Sequence, residues 1–237
     1  MSGIRTISID YGDTRFSIYL IFLPDKYCSP DTATTTHVMH SHFYYELHYA
    51  SRGQCLYRFS GREVLLQEGQ MLLIPPGQHH LSVSKDSESY TPQVLSLSIS
   101  ATENPGRFYP AFLSMLNAAA MTPITSPSSV AEYIHILQQR PLYDSVPGIC
   151  KLKAAAACFL SDLFHLLSPY ATETGTAAEP PCDAEVAVLL ENMVNRPDIP
   201  LEQIAAATNY STRHTARLIK KIYGASLSEI RRSRKID

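Results

Sequence analysis

The sequence predicts an α+β chain: an N-terminal β-barrel, a helical pair and a C-terminal all-α helix-turn-helix. Three observations carry that expectation. Short Tyr-, Val-, Ile- and Leu-rich runs separated by turns fill roughly the first hundred residues, helical periodicity follows, and a basic amphipathic stretch comes after a Pro-rich break near the C-terminus. At 237 residues the chain suits one large domain or two small ones and can bury a sizeable core.

Composition narrows the class. An apolar share of 45% and a charged share of 18% exclude an intrinsically disordered chain, and fourteen Tyr and eight Phe supply large side chains where Trp is absent. The opening residues contain no apolar run of signal-peptide length, and the longest apolar stretch, 154–160, is too short to cross a bilayer. A cytoplasmic protein with no membrane partner is expected. Five cysteines, odd in number and without CxxC spacing, read as reduced thiols. The net charge of −2 hides an asymmetry: from Leu201 onward eight Lys/Arg face three Asp/Glu, whereas the preceding residues hold twelve basic and nineteen acidic ones. A basic tail behind an acidic body points to a polyanion-binding module on a domain with another task.

The expected strands are SIYLIFL, FYYELHYA, QCLYRFS, REVLL, QMLLIPP and VLSLSI, divided by turns such as Arg52-Gly53, Ser60-Gly61 and Glu68-Gly69. No strand–helix alternation occurs, so a closed barrel or sandwich is expected over a doubly wound sheet. Within it, His40, His42, Tyr44, Glu46 and His48 fall at alternate positions, which in a strand share one face. If that face is inward, two imidazoles and a carboxylate converge, and His80, after Pro75-Pro76-Gly77, completes a set. Three His and one Glu suit Zn, Fe, Mn or Ni. The same residues serve equally as a hydrogen-bonding pocket, with Tyr44 and His48, for a small polar effector such as a sugar, and no cofactor is then required.

Beyond the barrel, residues 108–117, 129–140 and 148–167 read as helices. Leu152, Ala155, Ala156 and Phe159, extended by Leu160, Leu163 and Leu167, make one apolar stripe that covers the barrel flank or meets another subunit. Residues 169–182 are small, polar and proline-rich, as in a linker.

In the tail, Asp183 is placed to cap a helix with the stripe Val186, Leu189, Leu190 and Met193. Pro200 starts a short second helix with Leu201, Ile204 and Ala205 inward, and Asn209 suits the left-handed residue of the following turn. Ser211 then caps a third helix closed by Gly224, whose inner stripe is Thr215, Leu218, Ile219 and Ile222 and whose outer stripe is Arg213, Ala216, Arg217 and Lys220. Ser226 to Glu229 is a capping box opening a fourth helix that carries Arg231, Arg232, Arg234 and Lys235. A helix anchored by one apolar face and cationic on the other fits a DNA major groove.

Two resemblances sharpen this reading. The string LEQIAAATNYSTRHTARLIKKIYGASLSEIRRSRKID resembles the AraC/XylS family of bacterial regulators over about 40 residues. The resemblance implies base contacts from Arg213, Ala216 and Arg217 and phosphate contacts from Thr212, Lys220 and Lys221. The usual turn Gly is Asn209 here, and the family unit has two helix-turn-helix halves, of which this sequence carries the first and stops within the joining helix. The strings HxHx3Ex6G (His40 to Gly53) and Gx5PxGxxH (Gly69 to His80) resemble the two cupin motifs, with Ser84 where the second ends in Asn. AraC-type sensor domains resemble cupins in this region. The expected organisation is a cupin-like effector-sensing barrel at 1–105, a helical dimerisation or packing region at 106–168, a linker at 169–182 and the first helix-turn-helix half at 183–237. The expected function is a non-enzymatic, homodimeric transcriptional regulator with promoter DNA and a small-molecule effector as partners. The alternatives are a metal-dependent cupin enzyme and a truncated regulator that acts by dimerisation without binding DNA itself.

Overall fold

The computed structural model describes residues 3–22, 39–83, 90–102, 106–171, 184–194, 196, 198–208 and 210–233. The chain divides into two compact units, Met1–Ala178 and Glu179–Asp237. Ser84, the residues 172–183 that hold most of the expected linker and its Asp183 cap, Asn209, Arg234, Lys235, Cys28 and Cys182 lie outside the described residues.

In the first unit, β1 (Gly3–Tyr11), β2 (Thr14–Phe22), β3 (Tyr45–Arg52), β6 (Gln70–Ile74), β8 (Thr91–Ala101) and β9 (Ile124–Thr125) form one antiparallel sheet ordered β1-β2-β8-β3-β6-β9. A smaller sheet, β5-β4-β7, is built from β4 (Gln54–Phe59), β5 (Arg62–Gln67) and β7 (His80–Val83). The sequence runs located β2 to β6 and β8. They missed β1, whose residues IRTISIDY carry the alternation of a half-buried strand but no continuous apolar run, and also the short β7 and β9.

The larger sheet is covered by helices on one face and, over β3 and β6, by the smaller sheet on the other, and residue parity divides its buried side chains between two cores. Phe16, Ile18 and Leu20 of β2, Tyr45, Leu47 and Tyr49 of β3, and Leu95 and Leu97 of β8 face α1 (Phe108–Ala119), α2 (Ser128–Leu137) and α3 (Val146–Leu167). Ala50, Leu72 and Ile74 face the other way and meet Cys55, Tyr57, Phe59, Val64 and Leu66 of the smaller sheet. The result is a two-sheet β-barrel with helices on its flank, an α+β fold. The expected stripe on α3 is the one that packs here, with Leu152, Phe159, Leu160, Leu163 and Leu167 fully covered.

Polar contacts fix how the helices lie on the sheet. Asp13, in the β1–β2 turn, accepts the backbone N–H groups of Gly106 and of Tyr109 (3.1 Å), so its carboxylate supplies the N-terminal cap that α1 lacks locally. Burial raises the Asp13 pKa, but the bonds from Gly106, Thr14 and Tyr109 outweigh it and leave the carboxyl below its usual range. The Tyr45 hydroxyl donates to Asn117 Oδ1 at 2.6 Å, and Gln138 Nε2 donates to the Val94 carbonyl at 3.1 Å. α3 begins two residues earlier than the expected 148, because Ser145 caps it by accepting the Gly148 N–H at 3.1 Å and Pro147 fits its first turn.

The second unit holds α4 (Ala184–Val194), α5 (Leu201–Ala207), α6 (Thr212–Tyr223) and α7 (Leu227–Ser233). Its centre is Val186, Leu190, Val194, Ile199, Ile204, Ala205, Thr215 and Ile219, all buried. Thr208 is also buried, and its hydroxyl donates to the Ile204 and Ala205 carbonyls at 3.1 Å, so the turn after α5 enters the interior with its polar group satisfied. Ser211 caps α6 by accepting the His214 N–H, Gly224 closes it at φ 70°, and the Ser226–Glu229 capping box forms, with the Ser226 N–H donating to Glu229 Oε2 at 2.7 Å. Arg231 does not join the cationic surface. Its guanidinium donates to the carbonyls of Ile199 (2.6 Å), Val194 (3.2 Å) and Met193 (3.4 Å), which ties α7 to the end of α4.

Gly148 gives a direct check on the packing of the first unit. A Cβ there would overlap the Leu142 backbone carbonyl, which side-chain rotation cannot relieve. Gly148→Ala is therefore expected to destabilise the chain by about 1–3 kcal/mol in thermal unfolding. An unchanged midpoint would contradict the placement of α3.

Candidate functional site

The parity that sends Tyr45, Leu47 and Tyr49 to the helices sends Glu46 and His48 into the barrel. There Glu46 Oε2 lies 2.9 Å from His42 Nε2, 2.9 Å from His48 Nε2 and 3.3 Å from His80 Nε2. His40, His42, Glu46 and His80 each offer one ligand atom, all within 4.8 Å of one another. The rings of His40 and His80 are 4.3 Å apart at their centroids, and those of His42 and Tyr44 are 5.0 Å apart. All six pocket residues named from the sequence therefore gather in one place.

The reason differs in part from the one expected. A single strand from 40 to 48 does not form; β3 begins at Tyr45, so strand alternation orients only Glu46 and His48. His40 is placed by a backbone bridge to His80, with N–H to carbonyl bonds of 3.0 and 2.8 Å in the two directions. His42 is held through its carbonyl, which accepts the Gly77 N–H at 2.7 Å. Gly77 has φ 76°, a conformation that glycine adopts without a Cβ penalty, which is the physical role of the glycine between the two motif strings' histidines.

Two residues of this cluster escaped the sequence reading. Tyr57 on β4 brings its hydroxyl 2.7 Å from His48 Nδ1 and 3.0 Å from the Tyr90 hydroxyl, extending a line of polar groups from Glu46. The alternation Cys55, Tyr57, Phe59 in β4 carried a signal for Tyr57; Tyr90 lies outside any periodic run. Burial pushes the Tyr57 hydroxyl well above its usual pKa, reinforced by Tyr90, so it keeps its proton. Burial also raises the Glu46 carboxyl, but His42 and His48 together override that and hold it well below the ordinary carboxylate range.

His80 shows what the arrangement can accommodate. Its Nδ1 lies 3.1 Å from the Gln78 carbonyl, which can only accept, so Nδ1 carries a proton and Nε2 faces Glu46 Oε2 at 3.3 Å. Glu46 Oε2 is buried and receives no aligned hydrogen bond. A bound cation would be shared between that nitrogen and the carboxylate oxygen. Metal-bound imidazoles characteristically donate their other N–H to a backbone carbonyl in this way. The donor set fits a transition metal.

On the second unit, α6 buries Thr215 and Ile219, half-buries Leu218 and Ile222, and leaves Thr212, Arg213, His214, Ala216, Arg217, Lys220 and Lys221 exposed. Among the described residues, no carboxylate pairs with Arg213 or Arg217. No helix among the described residues is long and apolar enough to cross a membrane.

The Glu46 environment sets a pH dependence. Its carboxyl titrates lower in the folded chain than in the unfolded one, so the stabilisation is complete above the unfolded pKa of about 4.3 and is lost as pH falls through the folded value. The stability advantage of the wild type over Glu46→Gln is expected at pH 6 and should fade below about pH 4. Parallel pH profiles of the two proteins would contradict the ionised cluster.

The model of the family described as AraC-like ligand binding domain matches residues 28–113. Among solved structures, an AraC-like transcriptional activator, CuxR, is 12% identical, with 99% of this chain and 80% of that one covered and a TM-score of 0.35. A cupin-2 domain containing protein from Shewanella frigidimarina is 20% identical over 42% of this chain and 79% of its own, with a TM-score of 0.24. KdgF from Halomonas sp. is 16% identical over 45% and 83%, also at 0.24. No curated protein matches. The matched segment thus resembles an AraC-like ligand-binding domain, and His40, His42, Tyr44, Glu46, His48 and His80 all lie within it.

Proposed function

We propose that this chain is a DNA-binding transcriptional regulator whose cupin-like barrel takes up an effector. The observation that carries the reading is α6: seated by Thr215 and Ile219, it turns Arg213 and Arg217 outward with no carboxylate paired to them among the described residues. In a major groove, Arg213, Ala216 and Arg217 contact base edges, and Thr212, Lys220 and Lys221 contact phosphates. Effector in the barrel changes DNA affinity to the extent that it binds the DNA-competent and incompetent states differently. An enzymatic reading gives this cationic helix no task.

The test uses the full chain and duplexes selected from a randomised pool. Fluorescence anisotropy is expected to show a preferred sequence whose binding weakens steeply with salt. Arg213→Ala or Arg217→Ala should each cost about 1–3 kcal/mol of discrimination. Equal affinity for selected and random duplexes would remove the regulator reading.

For the barrel, the His80 geometry favours a divalent transition metal over a purely organic occupant, with His40, His42, Glu46 and His80 as its ligands and His48 against the same carboxylate oxygen. Such an ion would act either as the effector itself or as the group on which a small polar effector binds. Elemental analysis after incubation with Zn, Mn, Fe or Ni salts and dialysis should find about one ion per chain. Saturation at about a hundred times Kd should stabilise the fold by about 2.7 kcal/mol, an effect absent in His80→Ala. A wild type that retains no metal and shows no thermal shift would leave the organic-effector pocket as the reading.

A further inference from the structure

The exposed face of α6 extends beyond the residues that the family pattern implicates. His214 sits in the first turn of the helix, and its N–H is fixed by Ser211 Oγ at 3.2 Å. Three positions separate it from Arg217, so the two side chains are neighbours on the helix surface. Immediately before the helix, Tyr210 packs its ring on the His214 imidazole, with centroids 4.5 Å apart and planes tilted by 52°.

Tyr210 has no evident task in the fold. Its backbone is fixed by an N–H bond to the Ala205 carbonyl at 3.1 Å, yet its side chain leaves the interior and is 39% exposed. Large apolar groups at such a level of exposure are ordinary when isolated. Here the ring instead restricts the one imidazole in the leading turn of a cationic helix.

We propose that His214 is a specificity-determining residue of the DNA-reading face and that Tyr210 is its positioning residue. The proposal rests on the reading of α6 as a recognition helix and adds a base contact to it. Recognition helices touch base edges mainly with their N-terminal residues, which is where His214 lies. A neutral imidazole presents one N–H donor, and purine N7 in the major groove is the acceptor it matches. Long cationic side chains on flexible stems suit phosphates. A short ring held by a stacked neighbour suits a single atom on a base edge, because little freedom remains to be lost on binding.

The experiment selects preferred duplexes with the full-length wild type and compares His214→Ala, His214→Gln, Tyr210→Phe, Tyr210→Ala and Arg217→Ala on the same pool. His214→Ala should flatten the preference at one base pair, with discrimination there falling about tenfold, while the salt dependence of binding stays unchanged because no phosphate contact is lost. Tyr210→Phe keeps the ring and should retain the preference; Tyr210→Ala should lose it at the same base pair as His214→Ala. His214→Gln should alter the preferred base there without affecting folding. Weaker binding to all sequences with a shallower salt slope would overturn the proposal in favour of a phosphate contact. Unchanged selectivity in His214→Ala alongside a loss in Arg217→Ala would overturn the proposal alone. A wild type that selects no sequence would overturn both the proposal and the DNA reading on which it rests.

Discussion

The alternation of side chains across the six-stranded sheet organises the whole of the first unit. Because a strand sends successive residues to opposite faces, covering Tyr45, Leu47 and Tyr49 with helices obliges Glu46 and His48 to face the smaller sheet. A one-residue slip in β3 would bury a carboxylate under α1–α3 and expel three large apolar side chains from their core. The register is fixed from both sides, by β8 with Glu46 opposite Ser96 and by β6 with Glu46 opposite Ile74. The aromatic packing of Phe16, Phe112 and Phe164, with centroids 4.3–5.2 Å apart, then joins β2 to α1 and α3. The interior cluster is thus a consequence of how the opposite face is covered.

The second unit solves a different problem, that of holding short helices together with a small core. α5 has only seven residues, below the length at which an isolated helix persists, so its stability comes from Ile204 and Ala205 packing inward. Buried hydroxyls and carbonyls in so small a unit must be satisfied locally, and Thr208 and Arg231 do this at the two ends of α5 and at the end of α4. That use of Arg231 separates structural from available charge. Counting basic residues in the tail treats all of them alike, whereas the fold spends one guanidinium on backbone carbonyls and leaves Arg213 and Arg217 turned to solvent.

Much of this was legible in the sequence wherever a period is strict and the partner is on the same element. The stripes of α3 and α6, the Ser211 cap and the Ser226–Glu229 box follow from local spacing, and the structure has each of them. The gathering of His40, His42, Tyr44, Glu46, His48 and His80 was readable from two motif strings, although the strand argument orients only part of it. What escaped depends on partners distant in sequence. Asp13 caps a helix nearly a hundred residues away, and Tyr57 joins the cluster because β4 lies in the opposing sheet. No local pattern encodes those partners.

The central claim is that an arginine-bearing helix face, free of competing carboxylates among the described residues, reads the major groove. Methylation protection with dimethyl sulfate on a selected duplex examines this most directly, because the reagent attacks guanine N7 on the groove floor. Protection should be confined to N7 atoms within about one helical turn and should disappear when Arg217 is replaced by Ala. A stable complex in which every N7 stays as reactive as in free DNA would contradict the account.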